Sequence, residues 1–224
     1  MLDIMHVKLT TSGAIFHCSS KVLKELGVRN EQIENGDGVV DPFFCWYVHL
    51  FTLHRKKCLL FVNVLTRYPV FVPNVKRAEI RTLDALLATH LEVQLVDEGV
   101  SRACISSVIM PLCSSKIAKS NNRSVIGCAV EFERQIMAYL FYAQKEETPI
   151  TASALSLRLA RVPISSLRPS FFPYLLFRDE LMSRFGETGH FTSDPIAMKR
   201  PTPPKVGDEA SFLPALHSEA KKQV

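Results

Sequence analysis

A chain of 224 residues, 47% hydrophobic and 22% charged, suits one globular domain with appendages and leaves little room for a second full domain. Its +5 charge lies wholly in residues 1–186, because five acids balance five bases from Glu187 onward. That modest surplus is compatible with an anionic ligand or nucleic acid but lacks the dense stripe of a dedicated nucleic-acid binder, and no apolar run nears the roughly 18 residues of a membrane span.

Residues 1–13 alternate weakly and read as a leader or an added edge strand, ahead of one domain over residues 14–186. Ala14 to Cys18 predicts a short strand. A helix follows, with Ser19 or Ser20 as cap, Val22, Leu23 and Leu26 as its apolar face and Gly27 as its stop. Residues 29–42 carry Asn30, Asn35-Gly36-Asp37-Gly38 and Pro42 and read as a polar loop.

Trp46 to Leu53 and Cys58 to Val62 are aromatic and β-branched runs separated by a basic turn, as in a hairpin. Tyr68 to Val72 adds a third strand, with Pro69 best placed at an edge. Leu83, Leu86, Leu87, Leu91 and Leu95 then recur at helical spacing after a Thr82 cap, ending by Gly99, and Ser101 to Met110 reads as a short helix. Lys116 to Ala118 forms a brief strand. Asn121 or Asn122 opens a helix carrying Val125, Ala129, Phe132, Ile136 and Tyr139 on one face.

Leu155 to Ala160 suits either a strand or a helix ending before Pro163, and the reading favours helix. Residues 187–224, with Pro201-Thr202-Pro203-Pro204, read as a flexible tail. The expected fold is α+β: a small antiparallel hairpin or meander packed against several helices.

Several of these segments together resemble a family of small, mostly bacterial proteins classed as a domain of unknown function. The resemblance rests on Cys18 to Gly27, on Arg55-Lys56-Lys57-Cys58-Leu59-Leu60-Phe61-Val62-Asn63 with Thr66, on Asn121 to Gly127, and on Leu155 to Ala160 with Pro163. It spans about residues 14–185 and implies a compact α+β domain with no established activity. Family members often carry an Asn-Asp continuation after Gly127, where this chain has Cys128-Ala129-Val130-Glu131, and an Asn where this chain has Ala160. A polar site built on those positions is weakened here.

Candidate ligand-binding residues fall in two groups. Arg55 and Lys57, with Lys56, form a basic turn able to meet phosphates, beside Trp46, Tyr47 and Phe61 as stacking surfaces. A solvated turn over core aromatics explains them equally and is favoured. Asn63, Thr66, Asn121, Asn122, Arg123 and Ser124 are polar residues after a strand or at a helix start, where backbone donors and a cation face an anion. Turn chemistry and capping account for the same residues without a ligand and are the favoured reading.

The six cysteines and seven histidines show neither a disulfide framework nor metal-ligand spacing, so no metal and no cofactor is expected. His54 with Cys58 flank a turn, whereas His17 and Cys18 on one strand would face opposite ways. Arg158 is placed to pair with Glu131 or Glu133. With no secretory signal, the expected compartment is the cytoplasm. The leading expectation is a binding or accessory module. The alternatives are a hydrolase or nuclease-like enzyme using Arg123, Asn121 and Glu131, and a protein-interaction module exposing Phe171 to Leu175.

Overall fold

The computed structural model describes residues 13–29, 33, 40–145, 150–168 and 170–187. The leader and tail readings and most of the polar loop lie outside these residues. Five strands form one sheet: β1 (Ile15–Cys18), β2 (Cys45–Leu53), β3 (Lys56–Asn63), β4 (Pro69–Val72) and β5 (Lys116–Lys119), in the order β4-β3-β2-β1-β5. The sheet is mixed rather than antiparallel throughout. β2, β3 and β4 make the expected meander, but β1 runs parallel to both β2 and β5. A parallel neighbour needs a crossover that local pattern cannot reveal.

The helices are α1 (Ser20–Leu26), α2 (Arg77–Ile80), α3 (Leu83–Asp97), α4 (Arg102–Ile109), α5 (Arg123–Lys145), α6 (Ala152–Ala160) and α7 (Pro173–Phe185). Their ends follow local chemistry. Gly27 and Gly186 close α1 and α7 in the left-handed region, both at φ +67°. Ser101 accepts from Cys104 N–H at 3.3 Å and Thr151 from Ala154 N–H at 3.1 Å. Ser19 and Thr82 hold cap positions but make no side-chain cap bond, and Thr82 instead donates to the Glu79 carbonyl at 3.0 Å.

One sheet face carries Phe16, Cys18, Trp46, Val48, Leu50, Leu59, Phe61, Val70 and Val72, buried against side chains of α1, α3, α4 and α7. Phe177 of α7 seals this core: its ring stacks on Tyr68 at 4.3 Å and meets Phe43 at 5.2 Å. The other face carries Tyr47, Phe51, Leu60, Val62 and Phe71 against Val125, Ala129, Phe132 and Ile136 of α5 and Leu155 and Leu159 of α6. Burying a Phe or Leu of this kind contributes about 1.5–3 kcal/mol.

Pro69 lies at an edge as expected, and that edge is covered. Ser156 of α6 accepts from Phe71 N–H at 2.9 Å, and Gln94 of α3 donates to the Pro69 carbonyl at 3.0 Å. Both polar side chains are buried because each satisfies a backbone group that the end of the sheet would leave open.

Candidate functional site

β2 and β3 are joined by His54-Arg55, at φ +47° and +65°, a two-residue turn of the kind that matches strand twist. The turn holds Arg55 out in solvent. Lys57 follows on the sheet side that α1 covers, and its Nζ lies 2.7 Å from Glu25 Oε1 of α1. Arg77 of α2 approaches the other oxygen of Glu25 at 3.7 Å. Val75 N–H donates to the Lys57 carbonyl at 2.8 Å and thereby fixes α2 beside the hairpin.

Two elements distant in sequence from α1 thus bring cations to one carboxylate. The hydrogen bond from Lys57, with the added charges of Arg77 and Lys24, holds the Glu25 carboxyl below its ordinary pKa. Lys21 lies one turn before Glu25 and Arg81 one turn after Arg77, both exposed. Lys21, Lys24, Arg55, Arg77 and Arg81 are exposed, Lys57 is half-buried, and Glu79 folds back to accept from Lys76 N–H at 2.6 Å. Lys56, of opposite strand parity, points to the other sheet face.

Trp46, Tyr47 and Phe61 are 2%, 3% and 0% exposed, so they form core and offer no stacking surface. The remaining predicted residues gather at the far end of β3, about seven residues or roughly 25 Å away. There Asn63 is fully buried. Its Oδ1 accepts from Leu65 N–H, Thr66 N–H and the Thr66 hydroxyl at 3.1, 2.9 and 3.0 Å, while Nδ2 donates to the Phe43 carbonyl at 2.7 Å. Thr66 Oγ1 in turn accepts from Tyr68 N–H at 3.3 Å. Every polar atom of the Asn63 carboxamide is thus engaged in building the β3–β4 turn.

Arg67, in the same turn at φ +62°, donates to the Val64 carbonyl and reaches Ser124 Oγ at 3.4 Å. It links Asn63 and Thr66 to the start of α5, a residue that sequence reasoning missed. Burial lowers its pKa, with Cys128 opposing. Asn122 Oδ1 accepts from Val125 N–H at 3.2 Å, which is capping, while Asn121, Arg123 and Ser124 are exposed. Arg123 and Asn63 do not converge on a carboxylate, which removes the geometry expected of the nuclease-like alternative.

The thiol pairings also separate. Cys18 lies among the core residues of one face, whereas strand parity puts His17 on the other, where its ring bonds the Lys119 backbone. Burial pushes the Cys18 and Cys128 thiols up to about 12 and raises that of Cys58, so none is a ready nucleophile. Glu131 pairs with Arg134 at 3.4 Å and Glu133 with His49, so neither is the expected partner of Arg158, whose guanidinium lies 6.0 Å from the Tyr139 ring centre. Of the Phe171 to Leu175 patch, Phe171 alone is exposed, and Arg168 covers its ring at 4.7 Å.

His49 and Glu133 form a contact that no local pattern announces. His49 Nε2 of β2 lies 2.7 Å from Glu133 Oε2 of α5, and the imidazole is stacked between Tyr47 and Phe51 at 6.1 and 5.9 Å. The i, i+2 spacing of Tyr47, His49 and Phe51 was the one available signal, since it puts three rings on one strand face. Among the described residues no group of three His, Cys, Asp or Glu side chains could hold a metal ion, and no helix is long and apolar enough to cross a membrane.

Compared with known protein families, residues 15–174 match a domain of unknown function (DUF6933). No curated protein and no solved structure matches the chain. The fully buried Phe177 and Leu181 of α7 extend the core beyond the matched range.

Proposed function

The chain belongs to the DUF6933 family, and from its own residues we propose that it is a binding module whose surface of α1, the β2–β3 turn and α2 contacts the phosphate backbone of a nucleic acid. The observation that carries this reading is the convergence of Lys57 of β3 and Arg77 of α2 on the one carboxylate of Glu25 in α1. Lys21, Lys24, Arg55, Arg77 and Arg81 on these elements are exposed, in a chain of net charge +5. Arg55 and the exposed lysines are point charges and forks that suit phosphates. Because the neighbouring aromatics are buried, contact is through phosphates alone, which makes binding indifferent to base sequence.

Association of fluorescein-labelled duplex and single-stranded oligonucleotides, followed by anisotropy across a salt series, tests this. The expected result is weak binding that is insensitive to sequence, with log K falling against log salt at a slope of roughly −3 to −5. The double substitution Arg55→Glu with Lys21→Glu, two exposed residues outside the Glu25 ion pairs, abolishes it at unchanged melting temperature. Binding that ignores salt, or that survives the double substitution, overturns the reading.

A further inference from the structure

Outside the basic surface, unpartnered polar atoms collect along a single row of the sheet. Cys18 pairs with Val48, and Ser19 N–H donates to the Val48 carbonyl at 3.0 Å, which sets Ser19 level with His49 on the next strand. On the other side Cys18 pairs with Lys119, and Ser120 N–H donates to the Cys18 carbonyl at 3.3 Å. Ser120, Ser19 and His49 therefore lie side by side across β5, β1 and β2. By strand parity all three share the face that α5 covers.

Ser19 Oγ, Ser120 Oγ and His49 Nδ1 are each buried without a hydrogen-bond partner, three of seven such side-chain atoms among the described residues. A buried polar atom left unpaired costs about 1–3 kcal/mol, so three in one row call for an occupant or a task. Their position in the topology supplies one. α1 leaves β1 toward one sheet face and α5 leaves the adjacent parallel β5 toward the other. The carboxyl ends of two parallel strands whose connections diverge are where open sheets bind ligands.

We propose that Ser19, His49 and Glu133 form a site for acyl transfer from small carboxylic esters. Glu133 accepts the Nε2–H of His49, which leaves the Nδ1 lone pair free as a base, and the Tyr47 and Phe51 rings fix the plane of the imidazole. Ser19 sits at the turn from strand to helix in an extended conformation, φ −65° and ψ 157°, and its hydroxyl is not spent on capping α1. Rotation of Ser19 Oγ toward Nδ1 joins nucleophile and base.

Ser19 Oγ attacks the ester carbonyl carbon and its proton passes to Nδ1, while the Ser120 hydroxyl donates to the developing oxyanion. Collapse breaks the bond to the leaving oxygen, which takes the proton from Nδ1 and departs as an alcohol, leaving Ser19 acylated. Water then attacks the acyl carbon with Nδ1 taking its proton, and collapse returns that proton to Ser19 with release of the acid. Water is the co-reactant, and no atom changes oxidation state. Glu133 is a positioning residue that acts through His49.

The test is labelling of the intact protein with a fluorophosphonate probe, located by peptide mass spectrometry, alongside hydrolysis of p-nitrophenyl acetate. The expected result is covalent label on Ser19 and an initial burst of p-nitrophenol. Ser19→Ala removes both with a melting temperature equal to or above that of the native chain, since the buried Ser19 hydroxyl makes no bond in the fold. His49→Gln slows labelling by roughly 100-fold. Glu133→Gln lowers kcat with KM unchanged, and Glu133→Asp recovers part of the loss, a split that a merely structural role would not produce. Label on another residue, no label, or equal hydrolysis by Ser19→Ala overturns the proposal.

Discussion

Glu98 and Arg161, 63 positions apart, form a two-pronged ion pair with both contacts at 3.0 Å. The Glu98 side chain is 1% exposed and that of Arg161 16%, and the guanidinium also lies over the Tyr174 ring at 4.7 Å. The pair ties the end of α3 to the end of α6 and to α7. It lies close enough to fully buried Tyr68 that Glu98, after burial itself, raises the pKa of that phenol well above its ordinary value.

Arg161→Met leaves a buried carboxylate without its partner. We expect a loss of about 3 kcal/mol or more and a fall in Tm of roughly 10 °C. Adding Glu98→Gln should recover much of this, because the cost lies in the stranded charge. Thermal unfolding of the single and double variants decides it, and a single-variant loss under about 1 kcal/mol would mean that the pair does not anchor these helices.

Asn63→Ala removes three hydrogen bonds within the β3–β4 turn and one to Phe43, and leaves two backbone donors, the Thr66 hydroxyl and the Phe43 carbonyl in search of new partners. A loss of roughly 2–3 kcal/mol is expected by urea unfolding. Oligonucleotide association should be unaffected, as this turn lies at the opposite end of β3 from the basic surface. Weakened binding at full stability would instead return Asn63 to the ligand-contact role.

The Glu25 carboxyl has a folded pKa depressed below its unfolded value of about 4.5. Its ion pairs therefore contribute fully above that value, and the contribution is lost as pH falls through the lower, folded pKa. The difference in Tm between the native chain and Glu25→Gln should be constant above pH 5 and shrink in acid. At neutral pH the same substitution should tighten oligonucleotide binding, because Lys57 and Arg77 are released from their internal counter-ion.

Cys113 is exposed, whereas Cys18, Cys45 and Cys104 are buried, and burial pushes those three thiols up to about 12, 11 and 11. Cys128, half-buried, is raised to about 12 as well. Alkylation at pH 8 should modify Cys113 first and leave these four until the chain unfolds. Rapid modification of Cys18 in the folded state would contradict its place in the core.

Much of the fold was legible in the chain because its signals are local. The leucine spacing from Leu83 to Leu95, the cap at Asn122, the glycine stops and the aromatic runs around Arg55 each specify their own few turns or residues. The sites were less legible. Arg55 and Asn63 stand eight positions apart in sequence, and the extended strand between them carries them to opposite ends of β3. Arg67 was missed because a lone arginine after a turn carries no pattern. The Glu25 cluster, Glu98 with Arg161, and His49 with Glu133 join residues 32 to 84 positions apart.

By itself, then, the sequence determined the five strands, the helices other than α2 and α7, their order and the apolar faces of α1, α3 and α5, through propensities and periods that act over a few residues. Only the tertiary structure decided that β1 lies parallel between β2 and β5, that α1 and α5 diverge from neighbouring strands, that Ser120, Ser19 and His49 share one row, and that Glu133 of α5 reaches His49. Strand order and crossovers are set by the burial of both sheet faces at once. That burial is a sum over the whole chain, which no window of residues contains.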